Sequence, residues 1–165
     1  MARNHYVINV LKPTKKHFEF LFSNNIVAIG YRKFCFTMYV GMLEKEVLYK
    51  KISDHYKSNN NEAEKSYIEA KLFINIKAGD YIIVSYFDSV CLAISTNFRI
   101  YDRDVSEHLD FYNQLEVNYM KADNDLRIVP LNSLSKGLQK QLMEIKSTVC
   151  ELNDFGKEIE YIFDN

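Results

Sequence analysis

The feature that most constrains the fold of this chain is a tight-turn signal followed at once by a strongly β-forming run. Gly79 and Asp80 precede the run Tyr81-Ile82-Ile83-Val84-Ser85-Tyr86, and a second apolar run, 90–94, follows after two polar residues. Glycine tolerates the left-handed backbone of a tight turn, and β-branched and aromatic residues favour strands. The pattern predicts a β-hairpin. Because the apolar residues of 81–86 do not alternate with polar ones, we expect this strand to be central and buried on both faces.

Shorter signals on either side extend the sheet and add helices. Strands are predicted at 5–10, 26–29 and 148–152, and Thr14 is placed to cap a short helical turn. Apolar residues at helical spacing predict helices near 43–57, 61–72 and 133–145. Helices set between strands of a mainly antiparallel sheet indicate an α+β fold. We expect a curved, open-barrel sheet of about five to seven strands.

Length and composition indicate one folded domain. The chain has 165 residues, of which 47% are hydrophobic and two are proline, so a substantial core can form. No apolar run approaches the ~20 residues of a membrane span. Polar residues interrupt the N-terminal stretch, which therefore does not resemble a signal peptide, and we expect a cytoplasmic protein. The domain is predicted over 1–152, followed by a charged amphipathic segment, 153–165, suited to begin a linker to a further domain.

The sequence carries no positive signal for catalysis. It contains no Gly-x-x-x-x-Gly-Lys-Ser/Thr loop, and its four histidines lack the spacing of metal ligands. Cys35, Cys91 and Cys150 are scattered as reduced core thiols would be. The carboxylates between Asp102 and Asp110 suit a solvated acidic loop better than the metal site of a nuclease. We therefore expect a binding domain and not an enzyme, with no cofactor and no metal.

Four short motifs, taken in order, resemble one known family. They are Ala28-Ile29-Gly30-Tyr31, the segment from Phe73 to Asp80 (Phe-x-x-Ile-x-x-Gly-Asp), Phe98 to Asp102, and Leu115-Glu116-Val117-Asn118-Tyr119. This order and spacing is similar to EVE domains of the PUA-like superfamily, which are related to YTH domains. It most resembles the N-terminal domain that reads modified DNA in modification-dependent restriction proteins of the McrB type. The chain has no Trp, and Tyr31 and Tyr119 stand where that family often has Trp.

The resemblance implies a pocket that holds a modified base pulled out of its helix. Such a base stacks on aromatic side chains and pairs through its Watson–Crick edge. The aromatic candidates lie in or beside the matching motifs, and they are Tyr31, Tyr86, Phe98, Tyr101 and Tyr119. Cations near the same motifs are candidates for contacts to the nucleic-acid backbone, and they are Arg32, Lys33, Arg99, Arg103 and Lys121.

Charge is distributed unevenly along the chain. Residues 1–60 hold ten Lys/Arg and four Asp/Glu (+6), whereas residues 61–165 hold eleven and eighteen (−7), which permits a local positive face. The resemblance implies a domain that binds modified double-stranded DNA by base flipping and directs the GTPase and nuclease of a type IV restriction system. Three alternatives stay open at this point: a reader of modified RNA, an enzyme of unknown type, and a protein-interaction domain without a nucleic-acid ligand.

Overall fold

The computed structural model describes residues 3–10, 14–30, 35, 45–56, 60–100 and 109–165. Within these ranges it has nine strands and five helices. The strands are β1 (His5–Ile8), β2 (Ile26–Ile29), β3 (Tyr81–Tyr86), β4 (Ser89–Ile100), β5 (Asn113–Tyr119), β6 (Lys121–Ala122), β7 (Asp125–Leu126), β8 (Ile128–Pro130) and β9 (Val149–Glu151). The helices are α1 (Lys15–Ser23), α2 (Lys45–Tyr56), α3 (Asn60–Asn75), α4 (Lys136–Glu144) and α5 (Gly156–Asp164).

Seven strands form one sheet in the order β2-β5-β4-β3-β1-β9, with β8 added beside the start of β4. Every pairing in this sheet is antiparallel except that of β1 with β3, which is parallel. Strands β6 and β7 form a separate small hairpin. The predicted α+β class, with a mainly antiparallel sheet flanked by helices, is confirmed.

Strand β3 is central, as predicted, and its side chains enter two cores. Ile82 and Val84 face a core that contains side chains of α1, α2 and α3, whereas Tyr81 and Ile83 face a core that contains side chains of α4 and α5. These four residues are at most 4% exposed. Since helices cover both faces of the sheet here, the strand carries no polar alternation.

Helix boundaries follow from capping. Thr14 is the N-cap of α1, as predicted, and forms a capping box with His17. The helix expected from 133 begins later, at Lys136, because Pro130 is followed by a 3-10 turn and Ser135 then caps α4 through a bond from Leu138 N–H. Prediction placed that start too early. Within the described ranges no helix is long and apolar enough to cross a membrane.

The amphipathic segment predicted at 153–165 forms a 3-10 turn and then α5. Its apolar face is buried, because Ile159 and Phe163 pack in the same core as Val7 and Tyr81. The rings of Phe163 and Tyr81 stack at 4.1 Å between centroids. This segment is therefore packed on the sheet as part of the same folded body.

Candidate nucleic-acid interface

Strand register defines one end of the sheet, which we call the Gly30 end. There β2 finishes and β5 begins, since Ile29 pairs with Asn113, and β4 finishes beside them, since Ile100 pairs with Gln114. Gly30 follows β2 directly. Binding sites are commonly formed by the loops that connect adjacent strand ends of a sheet.

Gly30 lies against the backbone of residue 110. A Cβ atom at Gly30 would lie 2.4 Å from the carbonyl oxygen of Asp110, far inside van der Waals contact. Asp110 itself has a left-handed backbone, with φ of 57°. The Gly in the Ile-Gly-aromatic motif is therefore required by a close approach of two backbones.

Two amide side chains are buried at the same end, and sequence analysis did not identify either. Asn113 and Gln114 are 0% and 1% exposed, and Gln114 Nε2 donates to the carbonyl oxygen of Phe111 at 2.9 Å. Buried amides are costly unless hydrogen-bonded. The available signal was an Asn-Gln pair at the start of a strand whose next residues alternate between apolar and polar.

The start of α1 also lies near this end. The ring of His17 meets that of Phe111 edge-on, with 5.4 Å between centroids. The backbone N–H of Thr14 donates to His17 Nδ1 at 3.0 Å, so in neutral His17 the ring proton is on Nε2. Lys15 and Lys16 precede it and are exposed. These cations were not among the sequence candidates, because nothing local places α1 beside β5.

Phe98 is exposed by an irregularity in β4. The pairing of β4 with β5 shifts register between Ser95 and Arg99, and Asn97 has a positive φ of 67°. Phe98 N–H donates to Thr96 Oγ1 at 3.2 Å, and the Phe98 side chain is 62% exposed. A bulge of this kind redirects a side chain out of the sheet pattern. Phe98 is the sequence candidate with the most accessible ring among those described.

Arg99, by contrast, points inward. Its Nη2 donates to the carbonyl oxygens of Ile74 and Ile76, at 3.1 and 2.9 Å, and its guanidinium lies 5.1 Å from the Phe73 ring centroid. Burial lowers the pKa of Arg99 to about 10. The group thus caps the C-terminal carbonyls of α3. In this position it is not presented to a phosphate at the surface.

Tyr119 and Tyr86 lie away from the Gly30 end. Tyr119 is the last residue of β5, about 20 Å along the strand from Asn113 at ~3.4 Å per residue. It is 7% exposed, and its hydroxyl donates to the carbonyl oxygen of Ile26 at 2.8 Å. Phe22 contacts both Tyr119 and Tyr86, at 5.0 and 5.5 Å between centroids. The structure therefore places Tyr119 in the core.

The remaining candidates divide into two groups. Lys121 is exposed on β6. Outside the described residues lie Tyr31, Arg32, Lys33, Tyr101 and Arg103. Across the described ranges, no three His, Cys, Asp or Glu side chains are grouped as metal ligands would be. The described part of the Gly30 end offers an exposed aromatic ring, cations and hydrogen-bond donors, which suit stacking and polar recognition.

Comparison with known proteins adds a structural likeness. No protein-family model matches the chain, and neither does any curated protein. Among solved structures it is similar to the YTH domain of the Zygosaccharomyces rouxii MRB1 protein in complex with N6-methyladenosine RNA. Identity is 17%, the TM-score is 0.49, and the match covers 98% of this chain and 86% of that chain. A likeness of this degree carries no inference about the ligand.

Proposed function

We propose that this chain is a non-catalytic domain that binds nucleic acid carrying a modified base. The target is modified double-stranded DNA, and the base is flipped into an aromatic pocket at the Gly30 end. In this proposal the domain directs the GTPase and nuclease of a type IV, McrBC-like restriction system. Base flipping suits a modified base because the enzyme or reader must reach the modified edge outside the stack.

The observation that carries the proposal is the close approach of Gly30 to Asp110. The Ile-Gly-aromatic motif, the first of the four ordered motifs, has its glycine where a Cβ would meet the Asp110 carbonyl oxygen at 2.4 Å. In the sequence, Tyr31 follows Gly30 directly, two residues after the buried strand β2 ends. We propose Tyr31, Tyr101 and Phe98 as stacking residues, and we leave Tyr86 and Tyr119 out of the pocket because they lie away from the Gly30 end.

Phosphate contacts in this proposal come from cations near the same end. We propose Arg32, Lys33 and Arg103, together with Lys16 at the start of α1. Lys121 lies farther from the Gly30 end, and we propose it as a further contact to the nucleic-acid backbone. Such contacts position the duplex without specifying its sequence, and their binding energy falls as salt rises.

A binding screen tests the function. Matched duplexes containing 5-methylcytosine, 5-hydroxymethylcytosine, glucosylated cytosine, N6-methyladenine or no modification are titrated at two salt concentrations, alongside RNA of the same sequence. We expect one modified duplex to bind more tightly than its unmodified partner, with all affinities falling at higher salt. A preference for modified RNA would replace DNA as the target. Equal binding of every probe would overturn the reading of a modified base.

Variants then locate the pocket. Tyr31→Ala should cost about 1–3 kcal/mol of binding to the modified duplex, the usual value of one stacked base, whereas Tyr31→Phe should cost much less. Arg32→Ala with Lys33→Ala should weaken modified and unmodified duplexes equally. Tyr161→Ala is the control, because Tyr161 is 68% exposed on α5, on the other side of the sheet. Unchanged discrimination in a well-folded Tyr31→Ala variant would place the base elsewhere.

A further inference from the structure

Phe98 is held at the surface by hydrogen bonds of the residues before it. Thr96 Oγ1 donates to the carbonyl oxygen of Glu116 at 3.0 Å and accepts from Phe98 N–H at 3.2 Å. Asn97 N–H donates to Ser95 Oγ at 3.0 Å. Side-chain oxygens thus bind the backbone N–H groups of residues 97 and 98 in place of strand pairing, and they fix the backbone of the bulge. The ring of Phe98 is left 62% exposed.

The residue after Phe98 fixes the other side of the bulge. Arg99 Nη2 donates to the carbonyl oxygens of Ile74 and Ile76, at 3.1 and 2.9 Å, so this part of β4 is tied to the end of α3. To pack its ring inside the protein, Phe98 would have to break bonds on both sides. An exposed ring on a fixed backbone loses less conformational entropy on binding than a ring on a flexible loop.

The ring of Phe98 projects from the surface and is not packed among other rings. Among the described residues no aromatic ring lies against it, whereas Tyr86 contacts the rings of Phe18, Phe22 and Phe87. Proteins that open or bend a duplex insert projecting apolar side chains, phenylalanine among them, between base steps. The shape of this site therefore suits insertion into a stack of bases.

A cation lies beside the bulge. Lys77 is exposed and directly follows Ile76, whose carbonyl oxygen binds the guanidinium described above. The turn after Lys77 is bound to β4, since Gly79 N–H donates to the carbonyl oxygen of Ser95 at 2.8 Å. Asp80 in this turn is 4% exposed, and its Oδ2 accepts from the Lys77 backbone N–H at 2.8 Å. The ammonium group of Lys77 is thus available at the surface for a phosphate of bound nucleic acid.

We propose that Phe98 is a wedge: its ring enters the position that a flipped base leaves in duplex DNA, and Lys77 contacts a phosphate beside that position. This role rests on the base flipping proposed for the Gly30 end, and Phe98 lies two residues before β4 finishes there. Taking a base out of the stack costs free energy, and an inserted ring restores part of the lost stacking. Phe98 therefore stacks on the neighbours of the flipped base, while Tyr31 and Tyr101 hold the flipped base itself.

A duplex with a single abasic site tests the wedge, because one position in its stack is vacant before the protein binds. Fluorescence anisotropy compares this duplex with an intact, unmodified duplex of the same sequence. We expect the wild-type protein to bind the abasic duplex about fivefold or more tightly, since the ring inserts without unpairing a base. Phe98→Ala should bind both duplexes equally, whereas Phe98→Leu should retain much of the preference because it keeps an apolar wedge. No abasic preference in the wild-type protein, or an unchanged preference in a folded Phe98→Ala variant, would overturn the proposal.

Matched controls come from the opposite end of β4 and from α4. Phe87 is a similarly exposed phenylalanine, at 59%, in the turn just before β4 begins, so Phe87→Ala should keep the abasic preference. Lys77→Met should weaken both duplexes equally and reduce the salt dependence of binding. Lys140→Met removes an exposed charge on α4 and should do neither. Loss of the abasic preference in Phe87→Ala would contradict the wedge, and an unchanged salt dependence in Lys77→Met would contradict the phosphate contact.

A single strand separates the wedge from the reading of a modified base. The modified duplex that binds most tightly in the screen is compared with its modified strand alone, in which no position of a duplex is vacated. Phe98→Ala should weaken binding of the duplex and leave binding of the single strand unchanged, whereas an equal loss on both would place Phe98 in the pocket wall and overturn the wedge. If no modified duplex is preferred but the abasic preference depends on Phe98, the proposed function fails and the wedge stands.

Discussion

At the scale of single residues, His17 has a role that its type alone did not reveal. The ring atom Nδ1 of His17 accepts a hydrogen bond from the Thr14 backbone N–H at 3.0 Å. The backbone N–H of His17 in turn donates to Thr14 Oγ1 at 3.4 Å. This is a capping box in which histidine replaces the usual Glu or Gln. Among the described residues, no hydrogen bond is made by Nε2, so this N–H remains open beside Phe111.

Substitution separates the capping role of His17 from a second role that we propose for it, donation of its Nε2–H to bound nucleic acid. His17→Ala should lower the free energy of unfolding by about 1 kcal/mol, the usual value of a lost cap. His17→Gln should restore that stability, because Gln at this position can close the same capping box. We expect the Gln variant to remain weakened in nucleic-acid binding, since the N–H at Nε2 is lost. Urea unfolding and duplex titration measure the two effects, and full recovery of both would limit His17 to capping.

At the scale of elements, the irregularity in β4 connects a strand to the end of a helix. It turns Phe98 outward and Arg99 inward, where Arg99 bonds the carbonyls of Ile74 and Ile76. Arg99 makes no ion pair with any residue of the described ranges, and its Nε and Nη1 are buried without partners. Two carbonyl contacts and the Phe73 ring are thus the interactions that hold this cation.

Arg99→Met tests whether this contact stabilises α3. Methionine fills much of the space of the arginine stem, but the two carbonyl oxygens lose their donor. We expect a loss of about 1–3 kcal/mol in the free energy of unfolding, with faster amide hydrogen exchange in the last turn of α3. Arg127→Met is a control, because the Arg127 side chain donates a single hydrogen bond of 3.5 Å, to the carbonyl oxygen of Phe163. Weaker duplex binding at unchanged stability would instead support Arg99 as a phosphate contact.

At the scale of the whole molecule, ionisable groups buried in the core make the free energy of unfolding fall at alkaline pH. Burial raises the pKa of Tyr6 to about 12, with smaller contributions from Asp80 and Glu151. Burial likewise raises the pKa of Cys91 to about 12, and that of Tyr119 well above its ordinary value. Since each folded pKa exceeds the unfolded one, the stability from these groups is present below pH ~9–10 and is lost as pH rises toward 12.

Arg99 acts in the opposite sense. Its pKa is lowered to about 10, so the free-energy cost of burying its positive charge becomes smaller as pH rises above that value. Three groups outweigh one, so we expect the free energy of unfolding to fall by about 1–3 kcal/mol per pH unit above pH 10. Urea unfolding at pH 8, 10 and 11 measures this. Tyr6→Phe should flatten the dependence, and a pH-independent stability over this range would contradict the assignment.

Local signals in the sequence account for much of the fold. The continuous apolar run at 81–86, the Thr14 cap and the helical stripe at 61–72 act over one turn or one strand, so spacing and residue type predicted them. The start of α4 was predicted less well, at 133 instead of 136, because Ser133 and Ser135 are both of a type that caps helices. The requirement for Gly at position 30 was also visible in the motif, although its cause, the Asp110 backbone, was not.

Sequence alone determined the main elements, their types and the order of the motifs, because hydrophobic period, turn residues and caps depend on neighbours within a few positions. The β6–β7 hairpin and helix α5 were not predicted. Only the tertiary structure decided which candidate side chains face solvent. Tyr119 and Phe98 are both aromatics in strands, yet one donates to Ile26 inside the core and the other is 62% exposed at a bulge. That difference depends on strand register and on which helix covers each face, and both are set by contacts between distant parts of the chain.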